Sequence, residues 1–189
     1  MPRIPLIDKE TLTPEQKPVY DAIVSNPNRS ARLPAPYRIA LHCPEFAGIL
    51  AELGGLMRYR TCLPKRISEM AIMITGRYWT CQTEWVGHTP IALREGLSEK
   101  VAEAIRIGQR PVFDKADEEA VYDYCTELHE TKFVSDATHK RLVELFGIQG
   151  MIDLTGLIGY YTTVAMLLNS QQYPLAPGVT PPLQPLGGK

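Results

Sequence analysis

The chain has 189 residues, of which 44% are apolar and 22% are charged, and these proportions are typical of one globular domain. Twenty Lys and Arg residues against 21 Asp and Glu residues leave a formal net charge of −1. No basic excess exists to neutralise a phosphate backbone, so we expect no nucleic-acid partner. The longest weakly polar stretch, 154–168, is shorter than the roughly 20 residues of a membrane span, so we expect no membrane partner either.

The cysteines are spaced for neither a disulfide framework nor a local metal site. Cys43, Cys62, Cys81 and Cys125 lie far apart and form no CxxC pair, and the N-terminal stretch lacks the apolar core of a signal peptide. We therefore expect reduced thiols and a cytoplasmic protein.

Helix signals follow one another along the chain. A capping box at 13–16 predicts a first helix to about Ser25, which Asn26-Pro27-Asn28 ends. The proline-containing segment 31–38 is expected to be an irregular connector. Further helices are expected over 45–60, 65–79, 82–94, 98–109, 117–131, 135–146 and 151–169.

The pattern as a whole predicts an all-α protein of about seven or eight helices. Segments 65–79 and 151–169 are apolar on most sides, which is typical of buried helices, and no segment alternates as a strand does. We expect a single helical domain over 1–172. The Pro/Gly-rich tail 173–189 is expected to be disordered or to extend across a neighbouring subunit.

Sequence signatures of nucleotide, flavin and hydrolase sites are absent. The chain contains no GxGxxG, GxxxxGK[ST], GxSxG or HExxH, and its four histidines never stand three or four residues from one another. One cysteine stands at such a distance from a histidine, Cys125 four residues before His129, and a single pair of this kind is too few ligands for a local metal site. We therefore expect no metal and no cofactor.

One group of side chains is suited to acid/base chemistry. On a helix, Cys81, Glu84 and His88 share one face, and Glu69 on the preceding buried helix is placed to fold back toward them. Two carboxyls beside an imidazole in an apolar setting are able to raise a carboxyl pKa toward neutrality. From the residues alone, a solvated helix face with a small buried cysteine explains the same pattern.

Two segments carry a resemblance to a known family. The run LPKRISEMAIMITGRYWTCQTEWVGHTPIALREGL (63–97) resembles the core of the carboxymuconolactone decarboxylase and alkylhydroperoxidase D (AhpD)-like family, and GLIGYYTTVAMLLN (156–169) resembles its last core helix. The peroxidase branch of that family has a glutamate, eleven residues, CxxC, three residues and a histidine. Glu69, Cys81 and His88 match this motif, but Glu84 occupies the place of the second cysteine.

The resemblance implies an AhpD-like helical bundle of the decarboxylase-like branch. Its expected activity is that of a cofactor-independent lyase of aromatic catabolism, acting on a small acidic lactone or a related carboxylic acid. His88 is the expected proton donor, oriented by Glu84 or Glu69, in a homo-oligomer that is a trimer or a hexamer. The expected substrate-binding residues are Trp85, Tyr78 and Arg77.

Two alternatives remain open at this point. Cys81 beside an acid and an imidazole suits a single-thiol peroxidase, although no resolving cysteine is near in sequence. A non-catalytic binding protein on the same fold would lack a ligand-sized pocket around His88.

Several other residues have ordinary structural interpretations. Arg58 is expected to form surface ion pairs, and His129 is expected to be solvated on a charged helix face. Tyr160 and Tyr161 are expected to be core or subunit contacts.

Overall fold

The computed structural model describes residues 1–27 and 32–186, which form eight α-helices after a short 3-10 turn at Lys9–Thr11. No strand occurs within these described ranges, so the all-α prediction is confirmed. The helices are α1 Lys17–Val24, α2 Ala35–Ala40, α3 Pro44–Tyr59, α4 Lys65–Tyr78, α5 Gln82–Arg94, α6 Glu99–Arg106, α7 Ala116–Thr131 and α8 Asp136–Ser170.

Helix α4 is the centre of the bundle. It packs against α5, α6, α7 and α8, and every residue from Ile67 to Arg77 is buried. The prediction that this segment forms a buried helix is therefore confirmed. Two charged residues are carried into the interior with it, Glu69 with none of its surface exposed and Arg77 with 5% exposed. Buried charges need partners, so these two positions mark places to look for function.

The predicted capping interactions are found at the N-terminal ends of three helices. The Thr13 amide donates to the Gln16 side chain and the Gln16 amide donates to the Thr13 hydroxyl, although the regular helix begins only at Lys17. The Ser98 hydroxyl caps α6 and the Ser135 hydroxyl caps α8. Each of these side chains satisfies a backbone donor that the first turn leaves free.

The expectation of an irregular connector is wrong for part of 31–38. Helix α2 begins at Ala35, with Pro34 at its N-cap and Pro36 in its first turn. Proline is tolerated there because first-turn amides have no intrahelical acceptor, so these prolines start a helix and do not prevent one. Asn28 and Ala31 lie outside the described residues.

Helix α8 joins the two helices expected over 135–146 and 151–169. Gly147, with φ +70° and ψ 176°, breaks the helical path between them. Within the described parts of the chain, α8 is the one helix long and apolar enough to cross a membrane by length and composition, with 44% of its most apolar window buried. Leu154, Leu157 and Leu168 of this helix are core residues.

Part of the C-terminal tail lies on its own chain. Segment 182–186 packs against the end of α4 and the first residue of α5 in the same chain. The Gln82 side chain donates to the Leu183 carbonyl (2.7 Å) and accepts from the Leu183 amide (3.0 Å), while Arg77 donates to the Gln184 carbonyl (2.7 Å). Only 2% of Leu183 is exposed, so burial of its side chain favours this docking.

Adjacent glycines of α3 provide a matched test of the packing between α3 and α8. A Cβ at Gly54 would lie 2.3 Å from the buried Tyr160 hydroxyl oxygen, whereas Gly55 has nothing within 4 Å. Gly54→Ala is expected to lower the free energy of unfolding by about 1–3 kcal/mol through overpacking. Gly55→Ala is expected to raise it by about 0.5–1 kcal/mol through helix propensity. Urea denaturation of both variants measures the difference, and equal effects would contradict this packing.

Candidate active site

A tight turn joins α4 to α5. Thr80 adopts the left-handed conformation (φ +49°), the Cys81 amide donates to the Gly76 carbonyl (2.8 Å), and the Thr80 amide donates to the Arg77 carbonyl (3.0 Å). These are the two bonds of a Schellman motif, which normally has glycine at the left-handed position. The motif ends α4 and directs the chain immediately into α5.

The two helices approach each other closely beside this turn. A Cβ at Gly76 would lie 3.3 Å from the Glu84 Cβ and 3.7 Å from the Trp85 amide nitrogen. The absence of a side chain at Gly76 therefore allows the first turn of α5 to lie directly on α4. Glu84 and, one turn later, His88 face α4 as a result.

An imidazole lies between two buried carboxylates at the α4–α5 contact. His88 Nδ1 is hydrogen-bonded to Glu69 Oε2 at 2.5 Å, and Lys65 Nζ lies 2.7 Å from the other oxygen, Glu69 Oε1. On the opposite side of the ring, His88 Nε2 lies 3.3 Å from Glu84 Oε2, an ion-pair distance without hydrogen-bond angles. Exposure is 7% for His88, 0% for Glu69 and 6% for Glu84. The structure thus brings together three of the four residues expected to be catalytic.

Charge pairing decides the protonation of this group. Burial alone would raise the pKa of Glu69, but the hydrogen bond and charge of His88, with those of Lys65, lower it to about 2. Burial alone would lower the pKa of His88, but the hydrogen bond to Glu69 and the charges of Glu69 and Glu84 raise it above its ordinary 6.5. The expectation of a carboxyl titrating near neutrality is therefore wrong for Glu69. The pair is a carboxylate and an imidazolium.

A cavity of about 190 Å³ opens beside this pair. Its lining includes Glu84, His88, Arg58 and three tyrosines, together with residues from the start of α2, α5 and Val164 of α8. The His88 ring packs edge-on against the Tyr161 ring at 5.1 Å between centroids. The hydroxyls of Tyr37 and Tyr160 are hydrogen-bonded at 3.1 Å. The cavity therefore combines one cation, one imidazolium–carboxylate pair and aromatic walls.

Arg58 is a site residue that the sequence interpretation assigned to surface ion pairs. Its guanidinium lines the cavity, and its buried Nε has no hydrogen-bond partner within the described structure. The helix spacing carries a signal for this placement, because Arg58 follows Gly54 by four residues on the face that α3 turns toward α8. The signal is weak, because only the packing of α3 on α8 shows that this face encloses a cavity.

Cys81, the fourth expected catalytic residue, is not among the residues that line this cavity. It is the N-cap of α5 and has no exposed surface. Burial and the nearby Glu84 carboxylate raise the pKa of the Cys81 thiol to about 12. A thiol in this environment stays protonated at neutral pH.

The three expected substrate-binding residues are placed away from His88. Trp85 is 4% exposed and packs in the hydrophobic core, outside the cavity wall. Arg77 and Tyr78 line a different cavity, near the C-terminal tail. Helix geometry explains this, because Arg77 lies two turns beyond Glu69 along α4 and is held there by Gln184.

The acidic residues do not converge on one point. Glu69 and Glu84 contact opposite nitrogens of a single ring, and among the described residues no group of three or more His, Cys, Asp or Glu side chains is arranged to hold a metal ion.

Comparison with known proteins gives structural matches. Neither a scan against protein-family models nor a search of curated proteins gives a match. Among solved structures, the debrominase Bmp8 matches with a TM-score of 0.69 and 14% identity over 91% of both chains. A cysteine-to-alanine variant of the same debrominase, in complex with 2,3,4-tribromopyrrole, matches with a TM-score of 0.70.

Two further matches are AhpD-like and peroxidase-related proteins. A protein of unknown function from Agrobacterium tumefaciens, described in relation to the antioxidant defence protein AhpD, matches with a TM-score of 0.60 and 15% identity over 72% of this chain and 96% of that one. An uncharacterized peroxidase-related protein from Silicibacter sp. TM1040 matches with a TM-score of 0.70 and 11% identity over 90% of both chains. The chain therefore has the AhpD-like all-α fold that its sequence resemblance predicts.

Proposed function

We propose that the protein is a cofactor-independent lyase of the carboxymuconolactone decarboxylase type, acting on a small lactone or related acid that carries a carboxylate. The observation that carries this proposal is a cavity whose lining combines the Arg58 guanidinium with the His88 imidazolium and the Glu84 carboxylate, while Glu69 holds the other nitrogen of the ring. Structures with this fold include a debrominase and a peroxidase-related protein, so the fold alone does not select a reaction. The choice of a decarboxylation rests on the side chains that line the cavity.

The cavity suits a small anion with a flat, unsaturated body. Its volume of about 190 Å³ is below the range of drug-sized ligand sites. Arg58 supplies a positive charge that binds the substrate carboxylate, and a guanidinium favours two parallel hydrogen bonds to such a group. The tyrosine rings exclude water and pack against an unsaturated ring.

Decarboxylation beside an unsaturated lactone needs charge stabilisation and one proton. The carboxylate leaves as carbon dioxide, and the bonding electron pair passes into a dienolate that ends on the lactone oxygen. Burial raises the pKa of Tyr161 well above its ordinary 10, so its phenol stays protonated and is able to donate to that oxygen. His88 then transfers its Nε2 proton to carbon, and a proton from water restores the imidazolium.

The two glutamates have different parts in this scheme. Glu69 accepts the Nδ1–H bond, so it fixes the ring orientation and leaves the Nε2 proton as the one to be transferred. Glu84 lines the cavity beside Nε2 and is placed to return a proton from water to the ring. Glu69 is thus a positioning residue, and Glu84 belongs to the proton path.

Replacing His88 tests the proposal directly. His88→Gln is expected to reduce the ultraviolet decay of 4-carboxymuconolactone by at least about 100-fold, because the transferable proton is lost. His139→Gln is the matched control, since His139 is exposed on α8, and it is expected to retain full activity. Far-ultraviolet circular dichroism of both variants is expected to show the helix content of the wild type. His88→Gln is expected to melt at a lower temperature, because Glu69 keeps Lys65 as its one cationic partner.

Substrate binding gives the second arm of this experiment. Arg58→Met is expected to raise KM because it removes the carboxylate partner and retains the length of the side chain. A His88→Gln enzyme that remains active would contradict the assignment of the acid. A wild type that neither binds nor consumes the lactone would contradict the proposal as a whole.

The thiol peroxidase alternative has a separate test at Cys81. In the native protein, iodoacetamide or mild peroxide is expected to modify Cys43 and Cys62, which are exposed, and to spare the buried Cys81 and Cys125. Mass spectrometry after tryptic digestion measures this, and all four are expected to react in denaturant. Oxidation of Cys81 as fast as that of Cys43 would favour the peroxidase.

We also propose a cytoplasmic homo-oligomer, a trimer or a hexamer. Phe46 and three further residues along one side of α3 are each at least 36% exposed, and such an apolar stripe favours association. The stripe consists of Phe46, Ile49, Leu53 and Leu56. Leu53→Glu is expected to shift sedimentation toward the monomer, whereas Val112→Glu, at a 90% exposed position, is expected to have no effect. A wild type that sediments as a monomer at micromolar concentration would contradict the proposal.

A further inference from the structure

A second cavity, of about 90 Å³, lies between α4, α6, α7 and the C-terminal segment. Its lining shares no residue with that of the His88 cavity. Most of its wall is apolar or aromatic, formed by Ile74, Ile105, Tyr78, Tyr122 and Leu186. Leu186 closes it from the tail, so tightly that a Cβ at Gly108 would lie 2.3 Å from the Leu186 Cδ2.

Arg77 places an unpaired cation in this wall. The residue is 5% exposed, and its Nη2 donates to the Gln184 carbonyl at 2.7 Å. Its Nε and Nη1 are buried and have no hydrogen-bond partner within the described structure, and no carboxylate there lies within ion-pair distance. Leaving two buried donors of a charged group without hydrogen bonds costs free energy. The guanidinium is therefore able to donate two hydrogen bonds to a bound anion.

The surrounding charges favour an anion in this position. Burial and the positive charge of Arg106 lower the pKa of Arg77, and Arg106 itself pairs with Glu103 on its own helix. Lys132 donates to the Tyr78 hydroxyl at 3.1 Å, on the α7 side. The one acidic side chain in the lining is Glu130, which is exposed.

His129 adds an uncharged polar group to the lining. The expectation that His129 is solvated is wrong, because it is 7% exposed and stacks on the Tyr78 ring at 4.5 Å. Burial and Lys132 lower the pKa of His129 to about 4, so the ring is neutral at pH 7. Its Nε2 is hydrogen-bonded to the Thr75 hydroxyl at 3.1 Å.

From this cavity we infer a second binding site, for a short-chain monocarboxylate. The carboxylate accepts hydrogen bonds from Arg77 Nε and Nη1, and the alkyl chain lies between Ile74, Ile105 and Leu186. One buried cation among mostly apolar walls selects an amphipathic ligand over a small inorganic anion. This site stands apart from the proposed lyase chemistry and does not depend on it.

Isothermal titration of the full-length protein with propionate tests this inference. Saturable binding is expected with a Kd of about 1–10 mM, in keeping with the few atoms of the ligand. Propionamide, which has the same shape without the charge, is expected not to bind, and phosphate and chloride are expected to bind more weakly than propionate at the same ionic strength.

Arg77→Met removes the charge and keeps the length of the side chain. It is expected to weaken propionate binding by about tenfold or more, whereas Arg94→Met, at an exposed arginine of α5, is expected to leave it unchanged. In Leu186→Trp the larger side chain fills the cavity from the C-terminal segment, and Leu186 is not a core residue. This variant is expected to abolish propionate binding. Its matched control is Leu145→Trp, because Leu145 and Leu186 are 44% and 45% exposed.

Several results would overturn the site. Absence of saturable propionate binding up to about 50 mM would do so, given the affinity expected for a ligand of this size. Equal affinity for propionamide, or binding that survives both Leu186→Trp and Arg77→Met, would do so as well. Because Leu186 is at the molecular surface, its variant keeps the test decisive even if Arg77→Met does not fold.

Discussion

The structure depends on the neutralisation of carboxylates inside a helical bundle. Glu69 is completely buried in α4, the helix on which α5, α7 and α8 pack, and an uncompensated charge there would destabilise the whole core. His88 and Lys65 supply the positive charge, at 2.5 and 2.7 Å. The tight α4–α5 turn and the bare surface of Gly76 bring His88 within this reach. The pairing that compensates the Glu69 charge inside the core is therefore also the one that charges the candidate acid.

The same pair links folding stability to pH in two directions. The pKa of His88 is raised by folding, so its contribution is complete below its ordinary 6.5 and is lost as pH rises through the raised value. The pKa of Glu69 is lowered to about 2, so its contribution is present above its ordinary 4.5 and is lost as pH falls toward 2. Between these limits, both members stay charged and the site stays assembled.

Local patterns in the sequence predicted the helices better than they predicted the site. The 3.6-residue spacing around α4 and the caps at Ser98 and Ser135 depend on neighbours in the chain, which the sequence contains directly. The side of α3 that meets α8 depends instead on tertiary packing, so Arg58 was assigned to the surface. The docking of the tail on Gln82 depends in the same way on contacts between distant residues.

The same contrast holds within the motif. Its spacing placed Glu84 and His88 on one face of α5, where the structure has them beside Glu69. Spacing carries no information on depth, so it left open whether Cys81 is buried, and the separation of Arg77 from His88 became visible only in three dimensions.

Proton-detected NMR titration of the His88 ring, in the wild type and in Glu69→Gln, tests the central claim most directly. The pKa of His88 in the wild type is expected to lie above 6.5 and to fall when Glu69→Gln removes the neighbouring negative charge. A wild-type pKa at or below 6.5, or one that Glu69→Gln leaves unchanged, would contradict it.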